Sequence, residues 1–113
     1  MVGNFGSLPV KDKIMESRKN DIQDDKLRWD LLPLCIPRSW VEVAHFGAKK
    51  YAPNSWQNLE NAYDRYKAAM FRHLDAFESG EEYDKESGLH HLKHMVWNAC
   101  AMLFVVVFKK KEQ

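Results

Sequence analysis

Cysteine and glycine are scarce in this chain of 113 residues, and net charge is almost absent. The 2 cysteines, Cys35 and Cys100, are far apart and sit in apolar stretches, which excludes a disulfide scaffold; both read as reduced core residues. With 5 glycines there is no glycine-rich run before a GK[ST] triplet, so no phosphate-cradling loop of that kind. S-x-x-K, G-x-S-x-G, H-E-x-x-H and paired C-x-x-C arrangements are missing too. The 17 basic and 16 acidic residues leave a formal charge of +1, which argues against wrapping long nucleic acid but leaves room for a local anionic ligand such as a nucleotide. The start, MVGNFGSLPV, lacks the basic and apolar regions of a signal peptide. The most apolar run, residues 95–108, is interrupted by Asn98 and reads as too short to span a bilayer. These features together point to one small soluble domain in the cytoplasm.

What the chain does carry is apolar bulk: 4 Trp, 4 Tyr, 6 Phe and 5 Met, much of it in the second half. A domain this small buries only a modest share of its surface, so self-association as a homo-oligomer is expected. Residues 1–26 have few bulky apolar side chains and read as a flexible N-terminal arm. Residues 27–108 form the expected helical domain and 109–113 a basic tail, whose lysines suit a helix C-terminus.

Periodicity predicts three helices. Pro37 can occupy the first turn of one running through RSWVEVAHFG, with Trp40, Val43, Ala44 and Gly47 on one side. It is expected to loosen near Gly47 into a loop, AKKYAPNSWQN. A second helix spans about 59–78, with Ala62, Tyr66, Ala69, Met70, His73, Leu74 and Phe77 as its apolar seam and Gly80 as a left-handed cap. A third runs from about 89 to 108, with Leu89, Leu92, Val96, Ala99, Leu103 and Val107 as its inward face. The expected fold is therefore all-α, a small bundle of three to four helices completed by oligomerisation.

One stretch concentrates chemistry, GEEYDKESGLHHLKHMVWN. His91, His94 and Asn98 are three and four residues apart and share a helix face, and Glu81, Glu82, Asp84 and Glu86 precede them in a loop. An acidic loop feeding such a face could hold a divalent ion or do general-base work, or it could be a hydrogen-bond network that fixes packing. His90 points elsewhere and reads as ordinary surface. If the second and third helices are antiparallel, His73 faces the same cluster. Arg65 and Arg72 share a face and could take phosphate oxygens or form surface ion pairs. In GAKKYAPNSW, Lys49 and Lys50 could meet phosphates while Tyr51 or Trp56 stacks on a base.

The strings KLRWDLLP, FGAKKYAPNSW and RHLDAFESGEEYDKESGLHHLKHMVWN together resemble the phage- and bacterium-associated dATP/dGTP diphosphohydrolase N-terminal domains, over most of residues 26–104. That family stands near the all-α, MazG-like nucleoside triphosphate pyrophosphohydrolases. The resemblance implies a MazG-like helical fold, usually oligomeric, with Mg²⁺-dependent release of pyrophosphate and a nucleoside monophosphate from a purine (deoxy)nucleotide. It also implies a phage protein working in its host's cytoplasm.

Its recurrent polar positions fall here on Lys49, Tyr51, Trp56, Arg72, His73, Glu81, Asp84, Glu86, His91, His94 and Asn98. On this reading His91, His94 and Glu81 carry the chemistry, and Glu81, Asp84, Glu86 and His94 hold the metal. Lys49, Lys50, Tyr51, Trp56, Arg65, Arg72, His73 and Asn98 bind the substrate. MazG-like enzymes, however, use E-E-x-x-E and E-x-x-D helices, whereas here Glu81-Glu82 precedes Lys85 and the last helix offers H-x-x-H. Mg²⁺ prefers oxygen ligands, so Mn²⁺ or another softer ion also suits the histidines. A nucleotide binder that does not cleave its ligand, or a structural helical oligomer, are the competing expectations.

Overall fold

Helix α1 spans Cys35–Lys50, α2 Ala62–Glu78 and α3 His91–Leu103 in a computed structural model that describes residues 25–109. The expected arm over 1–26 and tail over 109–113 lie outside the described residues, apart from Asp25, Lys26 and Lys109. The chain divides into two units, residues 1–33 and 34–113. Within the first, a 3₁₀ turn at Trp29–Leu31 is braced by Arg28, whose guanidinium donates to both Asp30 oxygens at 3.0 and 2.7 Å. The second unit is the all-α bundle of three helices that the periodicity predicts, of the MazG-like kind.

Pro37 sits in the first turn of α1, where its missing N–H costs nothing. Trp40, Val43, Ala44 and Gly47 turn inward together. The helix does not loosen at Gly47. It continues to Lys50, and the Tyr51 N–H closes the last turn on the Gly47 carbonyl at 2.8 Å. A glycine costs a helix only about 1 kcal/mol, which the buried stripe outweighs. Residues 55–58 of the following segment form a 3₁₀ turn rather than open loop.

On α2 every residue of the expected seam is buried or half-buried. The helix ends as the sequence suggests: Gly80 takes φ +106°, its N–H meets the Phe77 carbonyl at 3.0 Å, and the Glu81 N–H meets the Ala76 carbonyl at 2.9 Å. This double closure turns the chain back toward α2's own flank. The acidic loop then folds as a miniature hairpin, with Asp84 N–H on the Leu89 carbonyl (2.7 Å) and His91 N–H on the Glu82 carbonyl (3.1 Å). Its Tyr83–His90 pair is the one β-bridge among the described residues.

His90 is not ordinary surface. Its Nδ1 accepts the Leu92 N–H at 3.0 Å and so caps α3, while its ring lies against Phe77 and Tyr83. The larger correction concerns which side of α3 faces inward. The buried residues are His91, His94, Asn98 and Ala101, at 3, 7, 4 and 1% exposure. Leu92, Leu103 and Val107, expected inside, are exposed, the last two to 51 and 59%. Cys35 and Cys100 are free but exposed, not core residues. Beyond Leu103 the helix widens into one π turn over Phe104–Phe108. Taken together, His91–Phe108 is 18 residues with mean hydropathy 1.4, long and apolar enough to cross a membrane by length and composition alone, a test that the core helix of a soluble protein also passes.

An aromatic cluster supports the end of the bundle away from the histidines. Trp56 meets Trp40, Trp97 and Phe104 edge-on at 6.2, 5.4 and 5.0 Å, and Trp40 stacks on Trp97. Tyr66 packs edge-on against Trp97 and donates its hydroxyl to the Trp56 carbonyl at 2.6 Å. Lys93 on α3 pairs with Glu42 on α1 at 2.6 Å. These contacts anchor residues 51–59 against the helices and leave a cleft beside them.

Candidate metal centre and cleft

The cleft has a volume of about 1240 Å³ and runs between the three helices, the 51–59 segment and the acidic hairpin. Its floor carries His73 from α2, Asp84 from the hairpin and His94 from α3. One ligating atom from each of these three lies within 4.8 Å of the others, so they could hold a divalent cation.

Local structure explains why they meet. His73 lies on the apolar seam of α2, so packing on α3 turns it inward. Asp84 is held by the hairpin tip, where its Oδ2 accepts the Ser87 N–H at 2.8 Å and Gly88 takes φ +76° to complete the turn. His94 lies one turn into α3, its Nε2 at 2.7 Å from Ser87 Oγ and 3.7 Å from Asp84 Oδ2. Asn98, one turn further, donates its amide to the His94 carbonyl at 2.8 Å. Phe46 of α1 packs edge-on against the His94 ring at 6.4 Å.

The electrostatics favour neutral rings beside an ionised carboxylate. Burial is the main reason the His73 imidazole is pushed down to about 4, with His94 and His91 adding to it against the opposing pull of Asp84. Burial also lowers His94, despite Asp84 nearby. Burial alone would raise Asp84, but the Ser87 N–H and hydroxyl, with His94 and His73, hold its carboxyl below the usual range. Neutral imidazoles with a carboxylate form the donor set a metal needs.

Glu81 and Glu86, two of the expected metal ligands, are engaged elsewhere. Glu81 lies outside the cleft lining, with Oε1 at 2.7 Å from His91 Nε2 and Oε2 at 3.5 Å from Lys85. His91, and next Lys85, hold its carboxyl below the usual range. Glu86 lines the cleft but pairs with Lys50 at 2.6 Å, linking the end of α1 to the hairpin. His91 is occupied on both nitrogens, since its Nδ1 is 2.8 Å from His73 Nδ1.

Of the expected substrate contacts, Lys50, Tyr51, Trp56, Arg65, Arg72, His73 and Asn98 line the cleft, and Lys49 does not. Trp56 is a member of the aromatic cluster, whereas Tyr51 is exposed beside the Lys50 ammonium, 5.1 Å over its ring. Ser87 is not among the expected residues, although a serine three positions after a turn aspartate is a recognisable signal. Trp40, Tyr66 and Trp97 also line the cleft, and Trp97 Nε1 is buried without a hydrogen-bond partner among the described residues.

No solved structure matches the chain. A dATP/dGTP diphosphohydrolase of Salmonella phage PMBT28 is 35% identical over 77 residues, which make up 66% of this chain. The match covers 25% of that protein, so the chain spans about a quarter of its relative's length. The model of the family described as "dATP/dGTP diphosphohydrolase, N-terminal" matches residues 16–113, a span that contains all three helices and the His73, Asp84 and His94 group; the chain belongs to that family.

Proposed function

We propose that this chain binds a purine deoxynucleoside triphosphate in its cleft and adds water across the α–β phosphoanhydride, releasing the nucleoside monophosphate and pyrophosphate. The observation that carries this reading is the convergence of His73, Asp84 and His94 on the floor of a cleft that Lys50, Arg65 and Arg72 also line. His73, Asp84 and His94 would hold a divalent cation. Two nitrogens and one oxygen suit Mn²⁺ or a neighbouring transition ion better than Mg²⁺. Such a cation supplies Lewis acidity and neutralises phosphate charge.

The chain's own groups do the rest. Lys50, Arg65 and Arg72 compensate the phosphate charge, the two arginines as planar forks. The apolar wall of Trp40, Trp56 and Trp97 offers a dry boundary for the base. His91, engaged on both nitrogens, acts as an orienting group rather than the proton acceptor.

The exposed apolar side of α3 supports assembly as a homo-oligomer. It also favours an interface over a bilayer, because buried His91, His94 and Asn98 on the same helix would be costly in hydrocarbon. The proposed setting is the cytoplasm of a phage-infected host.

The test is pyrophosphate release from dATP and dGTP with Mn²⁺ or Mg²⁺, using Asp84→Asn as the control. Release that depends on Asp84 supports the reading. Tight nucleotide binding with the ligand recovered intact would instead favour a binding protein, a reading supported by the single carboxylate in the ligand group.

A further inference from the structure

Glu81 lies outside the ligand group and outside the cleft lining, yet it is tied to the metal site through a chain of two short contacts. A carboxylate has no hydrogen to give, so the 2.7 Å contact from Glu81 Oε1 requires the hydrogen to be on His91 Nε2. In its neutral form His91 carries a single N–H, on Nε2, which makes its Nδ1 an acceptor. The ring nitrogen 2.8 Å from it, His73 Nδ1, is then the donor. That places His73's single hydrogen on Nδ1 and leaves the lone pair on Nε2.

We infer that Glu81 and His91 are positioning residues that fix the tautomer and ring plane of His73 for a divalent cation. This rests on the metal reading above. The physical need is plain: a histidine ligates through a bare nitrogen, and the group on its other nitrogen decides which one is bare. His91 is 3% exposed, so the relay is shielded from water along its middle. Glu81 is anchored by the backbone closure that ends α2, which sets where its carboxylate stands relative to His91. The hairpin also holds His91 directly, through its N–H on the Glu82 carbonyl. Among the described residues His94 has no equivalent carboxylate–histidine relay and has Ser87 on its Nε2 instead, so the two histidine ligands are supported differently.

The experiment measures Mn²⁺ binding by calorimetry and imidazole tautomers by ¹⁵N NMR of the metal-free protein. Glu81→Ala should weaken Mn²⁺ by about 10- to 100-fold, the usual effect of removing an outer-shell partner. In its spectrum His73 should lose its fixed Nδ1–H form and become a mixture. Glu81→Gln, whose side-chain carbonyl can accept the same N–H, should restore much of both, and Lys85→Ala should change neither. A wild-type spectrum with the His73 hydrogen on Nε2, or unchanged Mn²⁺ affinity in Glu81→Ala, would overturn the inference. The metal-free spectrum tests the relay independently of ion binding, so failure of the relay is distinguishable from failure of the metal site.

Discussion

His73 on α2 and His94 on α3 stack face to face, their rings parallel to within 4° and their centroids 4.3 Å apart. Two imidazolium ions would repel strongly in this arrangement, and both rings are shifted toward neutrality. The stack therefore presents lone pairs rather than charge beside Asp84. Replacing a ligand itself should do more harm than replacing a supporting group. His73→Ala, His94→Ala and Asp84→Asn are each expected to weaken Mn²⁺ by more than the roughly 10- to 100-fold of an outer-shell partner. Titration calorimetry checks this, and wild-type-like affinity in any one of the three would remove that residue from the site.

Lys50 is held by Glu86 on one side and lies over Tyr51 on the other; Glu86 first, then Tyr51, raises its pKa. It is therefore charged throughout the physiological range. Lys50→Ala should raise the KM for nucleotide about tenfold, the size of one lost charge-assisted hydrogen bond, with a smaller change in kcat. Lys49→Ala, outside the cleft lining, should leave KM within about twofold. Equal effects of the two would argue against a specific role for Lys50.

Tyr66 is buried and its hydroxyl donates to the Trp56 carbonyl, and burial raises its pKa despite Arg65 nearby. A raised folded-state value means the folded protein holds this proton more tightly than the unfolded chain. The associated stability is fully present below the ordinary value of about 10 and is lost as pH rises through the raised one. Melting curves from pH 9 upward should fall more steeply for the wild type than for Tyr66→Phe. At neutral pH the variant should be less stable by about 0.5–1.5 kcal/mol. Parallel alkaline profiles would contradict this account.

The outward face of α3 and its π turn, including Leu103 and Val107, should hold copies of the chain together. Leu103→Lys combined with Val107→Lys is expected to reduce the mass measured by light scattering while leaving helix content intact. A wild type that is already monomeric at tens of micromolar would remove the need for such an interface.

How much of this could be read from sequence differs between the helices. The α2 seam was legible because its apolar residues recur at helical spacing and its half-buried His73 shares their face. Gly80 was legible because few other residues accept a positive φ at a helix end. On α3 apolar periodicity alone points to the opposite side. Periodicity ranks faces by apolarity, but in this chain the face with His91, His94 and Asn98 is buried because the two histidines find partners on α2 and the hairpin and Asn98 finds one in the His94 carbonyl. The richer apolar face then turns outward. The acidic loop could be seen to matter, yet not which carboxylate served which purpose. That depends on the direction of each side chain from the hairpin: Asp84 inward, Glu81 behind His91, Glu86 toward Lys50.

The miniature hairpin between α2 and α3 has a kinetic consequence. His73, Asp84 and His94 all come from one contiguous helix–loop–helix stretch, and the two helices it joins make the most extensive contact in the bundle. Closing so short a segment costs little chain entropy, so these contacts can form early, before α1 docks. A cation captured at that point would brace the nascent pair of helices. In that case the ion would accelerate folding as well as raise stability, and refolding of the chelated protein should be measurably slower.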